Sequence, residues 1–332
     1  MDSLTQIILG AAVGEAVLGR KIGNKAMLYG AIAGTIPDLD VLASFFTDTV
    51  SALEIHRGFT HSIFFSVIFA PILAFIVTKY ETYTNFKNWT LLFFWAFITH
   101  PILDAQTTWG TQLFWPLDIR LAFKNIFVVD PLYTIPFLVF LILAMRQKKA
   151  SKKRCFYNNL GLCISSLYLV LTLILKGVSY QKFTKELAEQ NINYITIKTK
   201  PTPLNTILWT ANVDTKDSFY IGNSSFFDEQ PIHFSEYPKN HYLLGNIAKH
   251  PKTKRMIAIS KGWYTINKKE NNLYFNDLRF GVLSMQPNAT NFVFKYKIEV
   301  TADGTPFFLE EPKEKSDGKK LLLDLWGRIK GN

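Results

Sequence analysis

Cysteine is scarce in this chain, with 2 among 332 residues. Cys155 and Cys163 lie eight positions apart in one apolar run, and the sequence has no C-x-x-C pattern. Two positions with that spacing on one helix cannot form a disulfide, and thiolate zinc sites need paired cysteines. The sequence therefore excludes a disulfide framework and a thiolate metal site. We expect both cysteines to be buried in apolar surroundings.

Other features are missing as well. The opening Met1-Asp2-Ser3-Leu4 has neither a basic n-region nor an A-x-A cleavage signal, so we predict no removable signal peptide. No internal repeat or low-complexity tract is present. The net charge of +11 would suit nucleic acid if the basic residues formed one face. Many of them lie in short loops between apolar runs, so we expect a membrane protein without a nucleic-acid partner.

Long apolar runs dominate residues 1–178. They extend over Leu4 to Gly19, Ala26 to Ala43, Ser62 to Thr78, Trp89 to Leu103, Ile126 to Met145, and Phe156 to Val178. The last four approach or reach the roughly 20 residues that cross a bilayer. We therefore predict an α-helical multi-pass membrane bundle of about six helices. Small residues at Gly10, Gly14, Gly30 and Gly34 predict that the first two helices pack closely as a hairpin.

Basic residues concentrate in three loops between these runs. The loops are Arg20 to Lys25, Lys79 to Asn88, and Arg146 to Arg154. If each run crosses once, the three loops share one face, and the positive-inside rule makes that face cytoplasmic. The extracytoplasmic side of the cell (inner) membrane then carries everything after Val178, and also Gln6, Asp38, Asp40, His56, His61, His100 and Asp104.

Residues 179–332 have a different texture, because short β-forming runs alternate with turns rich in Pro, Asn and Gly. The runs are Tyr194 to Thr199, Phe219 to Ile221, Met256 to Ser260, Trp263 to Ile266, Leu273 to Phe275, and Phe292 to Val300. They predict a C-terminal β-rich extracytoplasmic domain with a charged tail. A charged helical stretch, Gln181 to Gln190, precedes the domain, and Leu321 to Ile329 is compatible with a short helix.

Side chains that bind metals lie at the ends of the apolar runs. The candidate metal ligands are Gln6, Asp38, Asp40, His56, His61, His100 and Asp104. His100 and Asp104 have the i, i+4 spacing of one helical face, and a turn at Gly58 would bring His56 and His61 together. Imidazoles and carboxylates are ligands of zinc, and such groups beside membrane-length segments are usually functional. We predict a divalent metal, with zinc as first choice, manganese or iron as alternatives, and one to three ions.

Simpler explanations exist for each part of this pattern. His100 and Asp104 alone also fit a capping histidine with a hydrogen-bonded partner, and a helix that begins at Pro101 would place His100 at its cap. The segment His56 to Ser62 also fits a buried hydrogen-bond network. Asp130 is a further candidate ligand, but Asp130-Pro131 is equally a helix-start signal. The joint occurrence of these groups at corresponding ends of the runs is what favours a metal site.

The combined motifs resemble the YdjM-like family of LexA-binding inner-membrane proteins. This resemblance implies a metal-dependent hydrolase. The matching elements are Met1 to Gln6 with Gly10, Gly34 to Asp40, His56 to Ser62, and His100 to Asp104. The family looks similar to zinc-dependent phospholipase C and single-strand nuclease folds, which implies hydrolysis of a phosphodiester or phosphomonoester. Family members commonly have histidine where this chain has Gln6. This departure implies that a second or third ion is lost or loosely held, or that Gln6 orients a water.

For such an enzyme we expect a metal-activated water as nucleophile. Arg57 would bind the phosphate, and Asp38, Asp40 or Glu15 would act as general base. The expected substrate is a phosphate-containing lipid, a lipid-linked phosphate or a small phosphate compound, with the lipid bilayer as partner. A non-catalytic metal-binding scaffold or sensor is the alternative. A transporter is disfavoured, because the candidate ligands cluster at one surface.

Overall fold

The computed structural model describes residues 1–312 and 318–331, and the chain divides into two compact units. The first unit contains Met1–Phe46, Ile55–Ile174 and Pro203–Asn205. The second contains Thr47–Glu54, Leu175–Thr202 and Thr206–Asn332. A short segment between the Asp38 and His56 motifs, Thr47–Glu54, therefore belongs to the second unit.

The first unit is helical, and the second unit adds the helices α8 and α9. In chain order the α-helices of the described chain are α1 (Ser3–Ile22), α2 (Asn24–Thr35), α3 (Thr49–Ile55), α4 (Ile63–Thr78), α5 (Phe86–Asp104), α6 (Pro131–Met145), α7 (Lys152–Glu189), α8 (Pro251–Ile259) and α9 (Gly318–Ile329). The 3-10 helices are Pro37–Phe45, Phe59–His61 and His241–Lys249. We call Pro37–Phe45 the rim helix, because it carries Asp38 on one side and exposed apolar residues on the other.

The prediction of a six-helix multi-pass bundle is wrong. In the described part of the chain, only α7, with 38 residues, is long and apolar enough to cross a membrane as one straight helix. The number rises to three if α2 with the rim helix, and Thr49–His61 with α4, each count as one bent span. Helix α6 has 15 residues, or about 22 Å of rise, which is short of a hydrocarbon core of about 30 Å. Hydropathy reports how apolar a segment is, so it did not predict the bends in the two helix pairs or the short length of α6.

Helices α1 and α2 form the closely packed hairpin that the glycines predicted, and this expectation is confirmed. A Cβ atom placed on Gly10 would lie 2.3 Å from the Gly30 carbonyl oxygen. One on Gly14 would lie 2.1 Å from the carbonyl oxygen of Ala26. Only glycine fits at such separations, so the two backbones are held in direct contact.

An aromatic core supports the end of α5 that carries the candidate ligands. Trp89, Phe93 and Phe97 lie on one face of α5, are fully buried, and stack in sequence along it. His100 follows Phe97 by three residues, so the packed aromatic face also directs His100 inward. The helical run predicted from Trp89 to Leu103 lies within α5, and the alternative of a helix that begins at Pro101 does not hold, because Pro101 lies in the last turn of α5.

The second unit contains two antiparallel sheets, each of four strands in sequence order. The first sheet consists of β1 (Thr196–Pro201), β2 (Leu208–Asp214), β3 (Ser218–Ser225) and β4 (Phe234–Pro238). The second consists of β5 (Tyr264–Lys269), β6 (Asn272–Val282), β7 (Phe292–Val300) and β8 (Pro306–Glu310). The prediction of a β-rich C-terminal region is confirmed. The predicted strand at Met256 to Ser260 is wrong, because these residues belong to α8, which begins at Pro251, or directly follow it.

In chain order, helix α7 precedes the strands of the second unit and helix α9 follows them. The charged stretch predicted after residue 180 continues α7 to Glu189, and its buried Phe183 and Leu187 pack with Trp209 of β2. The helix expected near the C-terminus is confirmed as α9. The expectation of buried cysteines is wrong. Cys155 is half-buried and Cys163 is exposed on α7.

Candidate metal centre

Four side chains from three separate segments converge in the first unit. Asp38 comes from the rim helix, His61 from the 3-10 turn before α4, and His100 and Asp104 from the last turns of α5. One donor atom of each lies within 4.8 Å of the corresponding atoms of the others. His61, His100 and Asp104 are buried, and Asp38 is half-buried. This group could hold a metal ion.

The spacing of the donor atoms matches a single four-coordinate ion. The Nε2 atoms of His61 and His100 are 3.1 Å apart. Asp38 Oδ1 lies 3.3 Å from His61 Nε2 and 3.4 Å from His100 Nε2. Asp104 Oδ2 lies 3.4 Å and 3.7 Å from the same two atoms. A tetrahedron with metal–donor bonds of about 2.0–2.2 Å has edges of about 3.3–3.6 Å, so these five distances lie within about 0.2 Å of that range, and the sixth, between the two carboxylate oxygens, is at most 4.8 Å.

Each imidazole is oriented through its other ring nitrogen. His100 Nδ1 lies 2.7 Å from the carbonyl oxygen of Gly34, so this nitrogen donates the hydrogen and Nε2 presents its lone pair. His61 Nδ1 lies 3.0 Å from Thr60 Oγ1 and 3.3 Å from Asp40 Oδ2. A histidine that binds a metal is usually held by such an outer hydrogen bond, which fixes the ring and its tautomer. Both rings therefore have the arrangement of ligands.

Asp104 carries one engaged and one available oxygen. Its Oδ1 accepts hydrogen bonds from the Met1 α-amino group and, at 2.9 Å, from Gln6 Nε2. Its Oδ2 is buried without a hydrogen-bond partner among the described residues; Arg57 Nε is 2.9 Å away, but its N–H is not directed at the oxygen. A buried carboxylate oxygen left unsatisfied is unfavourable, and a cation would satisfy it.

The ionisation of α5's two ligand candidates suits metal binding. Burial alone would raise the pKa of the Asp104 carboxyl, but the positive charges of the Met1 terminus and Arg57 outweigh it and hold the pKa well below its usual range. Burial lowers the pKa of His100, which favours the neutral imidazole. An ionised carboxylate and a neutral imidazole are the forms that bind metals.

Asp40 and His56 lie next to the four donors instead of among them. Asp40 is buried and accepts hydrogen bonds from the Arg57 backbone N–H at 2.8 Å and from Thr60 Oγ1 at 3.1 Å. Its other oxygen is 3.0 Å from His56 Nδ1. The two residues form a carboxylate–imidazole pair behind His61. The sequence predicted both residues at the site. The spacing of the residues in the sequence could not show which of them would bind the metal and which would orient a ligand.

Glu15 is not brought to the cluster, which corrects its expected role as a base. Its carboxylate accepts hydrogen bonds from Arg154 Nε at 2.7 Å and Nη2 at 2.5 Å, and both side chains are buried. Glu15 lies nine residues after Gln6 on α1, which is about 13 Å along the helix axis. The pair therefore anchors α1 to α7 at a distance from the ligands.

Two further candidates also have local partners. Arg57 is buried, and its Nη1 donates to Thr107 Oγ1 at 2.9 Å, so the guanidinium points inward and not to an outside phosphate. Asp130 accepts hydrogen bonds from the Leu132 N–H at 2.9 Å and the Tyr168 hydroxyl at 2.9 Å. Asp130 therefore caps α6, in agreement with its interpretation as a helix-start signal.

Several residues that shape the centre were not singled out from the sequence. Thr60 contacts both His61 and Asp40, Thr107 holds Arg57, and the Gly34 carbonyl orients His100. Thr60 adjoins His61 in the chain, so its proximity was a usable signal. Gly34 was recognised for close packing, but a backbone carbonyl gives no signal in sequence.

Comparison with known proteins identifies relatives of this chain. The family model described as YdjM inner membrane protein matches residues 1–181. Uncharacterized protein YfhP of Bacillus subtilis (strain 168) is 28% identical over 243 residues, which is 68% of this chain and 68% of YfhP. Inner membrane protein YbcI of Escherichia coli (strain K12) is 27% identical over 112 residues, 34% of this chain. The match spans 64% of YbcI's own length.

No solved structure matches the chain. The family match contains all four residues of the candidate centre, Asp38, His61, His100 and Asp104, and it covers more than half of the chain. The resemblance of the motifs is therefore confirmed. The chain belongs to the YdjM inner membrane protein family.

Proposed function

We propose that the chain is a membrane-bound, metal-dependent hydrolase of phosphoester bonds. One observation carries the proposal. Four donor atoms lie at tetrahedral spacing, and one of them belongs to a carboxylate, Asp38, whose side chain is 23% exposed while the other three are buried. A metal centre with one accessible ligand has a side on which water and substrate can approach.

Zinc is the ion that the donor set favours. Two imidazole nitrogens and two carboxylate oxygens at tetrahedral spacing are typical of zinc, whereas manganese and iron more often take additional ligands. His61, His100, Asp38 and Asp104 would hold the ion. When bound, such an ion lowers the pKa of a water molecule and neutralises charge that develops on a phosphoryl oxygen.

The surrounding residues have separate roles in this proposal. His56 is the partly exposed imidazole beside the cluster, and Asp40 orients it through Nδ1 at 3.0 Å. A carboxylate-oriented imidazole is suited to transfer a proton to the leaving oxygen, so we assign that role to His56. Arg57 balances the charge of Asp104 from inside, instead of binding the phosphate. Gln6 holds Asp104 through its amide nitrogen, and serves as a positioning residue.

We also propose that the second unit lies on the extracytoplasmic side. Helix α7 is the one straight candidate span in the described chain, and basic residues crowd the loop that precedes it and its first turn. The positive-inside rule then assigns the N-terminal end of α7 to the cytoplasm and its C-terminal end to the other side. Labelling a cysteine introduced at the exposed Lys269 with a membrane-impermeant reagent in intact cells tests this sidedness. Labelling only after the cells are lysed would place the second unit in the cytoplasm instead.

The hydrolase proposal is tested by measuring metal and turnover on the same preparations. The purified full chain in nanodiscs is assayed for zinc and for hydrolysis of bis-p-nitrophenyl phosphate, p-nitrophenyl phosphate and phosphatidylcholine. We expect turnover of at least one of them, its loss after chelation, and its return with zinc. We expect His56→Gln to keep the metal and lose turnover by about 10²-fold or more, as removal of a general acid does. Equal turnover in His56→Gln would refute its role.

A non-catalytic metal-binding module is the second candidate. It is favoured by the presence of four protein donors, because structural zinc sites are filled by four side chains whereas catalytic sites usually keep a position for water. In that case the metal would stabilise the junction of α5 with the two 3-10 turns. Stoichiometric zinc with no turnover of any phosphoester, in wild type and with added zinc, would favour this function over the hydrolase.

A further inference from the structure

The rim helix presents apolar side chains outward beside the metal centre. Leu39, Val41 and Leu42 are about half-exposed, Phe45 is 78% exposed, and Phe46, which directly follows the rim helix, is 87% exposed. Asp38 and Asp40 alternate with these residues but point toward the cluster, where Asp40 is buried. The same turn therefore joins a metal ligand to an uncovered apolar surface. Soluble proteins rarely leave such a contiguous patch exposed.

A second segment contributes similar residues at the same end of the first unit. The loop after α5 exposes Phe114, Leu117, Ile119 and Phe123. This loop is fastened to the motif of the centre, because the Gln112 N–H donates to the Arg57 carbonyl at 3.0 Å. Arg120 Nη1 donates to the His56 carbonyl at 2.9 Å. The exposed apolar residues of the loop thus belong to the surroundings of the centre.

The apolar surface continues along α4, which begins directly after His61. Its outward residues Ile63, Phe64, Val67, Ile72 and Phe75 are all exposed, over the whole length of the helix. A docking patch for a protein is bounded by polar residues, whereas this surface extends along a helix of membrane character. In addition, α2 and the rim helix together have the length and composition of a membrane segment that bends by 40°. These features favour lipid acyl chains as the occupant.

We propose that the rim helix and the 114–123 loop are inserted among the acyl chains of the bilayer, and that the centre receives lipid substrates laterally through this rim. The substrate class is a lipid whose phosphate lies at the bilayer surface and reaches Asp38 while its chains remain in the membrane. This part rests on the proposed hydrolase function. The insertion of the rim does not, so the two can be tested separately.

The insertion is tested with spin labels. Cys155→Ser and Cys163→Ser remove the native thiols, and Phe46→Cys or Leu117→Cys then carries the label on the full chain in lipid nanodiscs. Lys269→Cys, on an exposed strand end of the second unit, is the matched control. We expect the two rim labels to be at least fivefold more accessible to oxygen, relative to a water-soluble nickel reagent, than the control. Equal accessibility at the rim and the control would refute insertion, and so would spin–spin broadening that shows a second copy covering the rim.

The lateral route is tested by comparing two substrates. The double substitution Phe45→Ser/Phe46→Ser changes two highly exposed side chains, and Phe75→Ser on α4 is a control for an exposed apolar residue of that helix. We expect the double variant to keep its metal and its rate on a soluble phosphodiester, and to lose at least tenfold in rate on a long-chain phospholipid in vesicles. Equal losses on both substrates, or none on the lipid, would refute the route. If wild type hydrolyses neither substrate, the hydrolase proposal and the route fail together, while the spin labels still decide insertion.

Discussion

Buried charges are arranged differently in the two units. In the second unit the buried Arg279 donates to both oxygens of Asp277, and Nη2 of the half-buried Arg328 donates to Asp228 at 2.6 Å. In the first unit, two carboxylates and two imidazoles direct one donor atom each to a common point. Arg57 is next to this group, with its Nε 2.9 Å from Asp104 Oδ2, but that oxygen accepts no hydrogen bond from a described residue.

The first unit also contains its own reference for an ordinary buried pair. Glu15 and Arg154 are as buried as the candidate ligands, yet each satisfies the other's charge and hydrogen bonds. Burial and charge alone therefore do not identify a site. The distinguishing features are converging donor atoms and a buried carboxylate oxygen, Asp104 Oδ2, that lacks a hydrogen-bond partner. This comparison predicts that substitutions in the two kinds of arrangement have different consequences.

The largest effect is expected from removing an imidazole of the centre. His61→Ala and His100→Ala should each lower bound metal from about one ion per chain by at least tenfold, because the loss of one of four ligands removes a large part of the binding free energy. Elemental analysis of the purified chain measures this. The control is His233→Ala, an exposed histidine of the second unit, which should leave the metal unchanged. Retention of full metal by both centre variants would contradict the assignment.

The next effect separates a structural pair from the centre. Arg154→Met leaves the Glu15 carboxylate buried without its partner and should lower the free energy of unfolding by about 3–5 kcal/mol. The double variant Glu15→Leu/Arg154→Met should recover most of this loss. Thermal unfolding in detergent measures both variants, and metal content should stay at the wild-type value in the double variant. A loss of metal there would show that the pair belongs to the centre after all.

A smaller effect is expected where the backbone orients a ligand. A Cβ atom on Gly34 would lie 2.7 Å from the Gln6 carbonyl oxygen, so Gly34→Ala must move the backbone whose carbonyl accepts from His100. Loss of such an outer hydrogen bond typically weakens metal binding by about 10–100-fold. Competition with a zinc chelator measures it. Gly177→Ala, where a Cβ meets nothing within 4 Å, should have no effect.

A last effect concerns a buried lysine of the second unit. Burial lowers the pKa of Lys200 to about 7, whereas an unfolded lysine keeps its ordinary pKa of about 10.4. Between these values the unfolded state binds more protons, so stability should rise with pH from about 7 to 10 by at most about 1.4 kcal/mol per pH unit.

Lys200→Met should remove the contribution of Lys200 to this rise, while Lys198, whose pKa burial lowers to about 8, keeps its own contribution. Denaturation of the full chain at several pH values, beside the exposed-residue control Lys268→Met, measures it. If the free energy of unfolding of Lys200→Met depended on pH as strongly as that of the wild type, the titrating group would not be Lys200.

The sequence was informative where chemistry concentrates in short motifs. His100 and Asp104 share one helical face, and the turn at Gly58 directs His61 to them across 39 residues of chain. It was also informative for the β-rich region, where turn residues punctuate alternating runs. It did not show that Asp40 and His56 pair with each other, because which of several nearby polar groups contacts an ion depends on distances that the spacing does not determine.

The helical region shows the limit of hydropathy more clearly. Ala26 to Ala43 reads as one apolar segment, but the chain bends at Ile36 and Pro37, and the following 3-10 turn carries Asp38 inward. Likewise, the β-branched Ile257 and Ile259 suggested a strand at Met256 to Ser260, whereas Pro251 begins a helix there. In both places, local propensity was overridden by tertiary packing or by the position of a proline.

X-ray absorption spectroscopy on the zinc-loaded full chain tests the central claim most directly. The arrangement of the four donors predicts a first shell that contains two imidazole nitrogens and two carboxylate oxygens at about 2.0–2.2 Å, with the outer-shell signal of two imidazole rings, and the hydrolase proposal adds one water oxygen to it. A first shell made of water oxygens alone, without imidazole scattering in the wild-type chain, would contradict it.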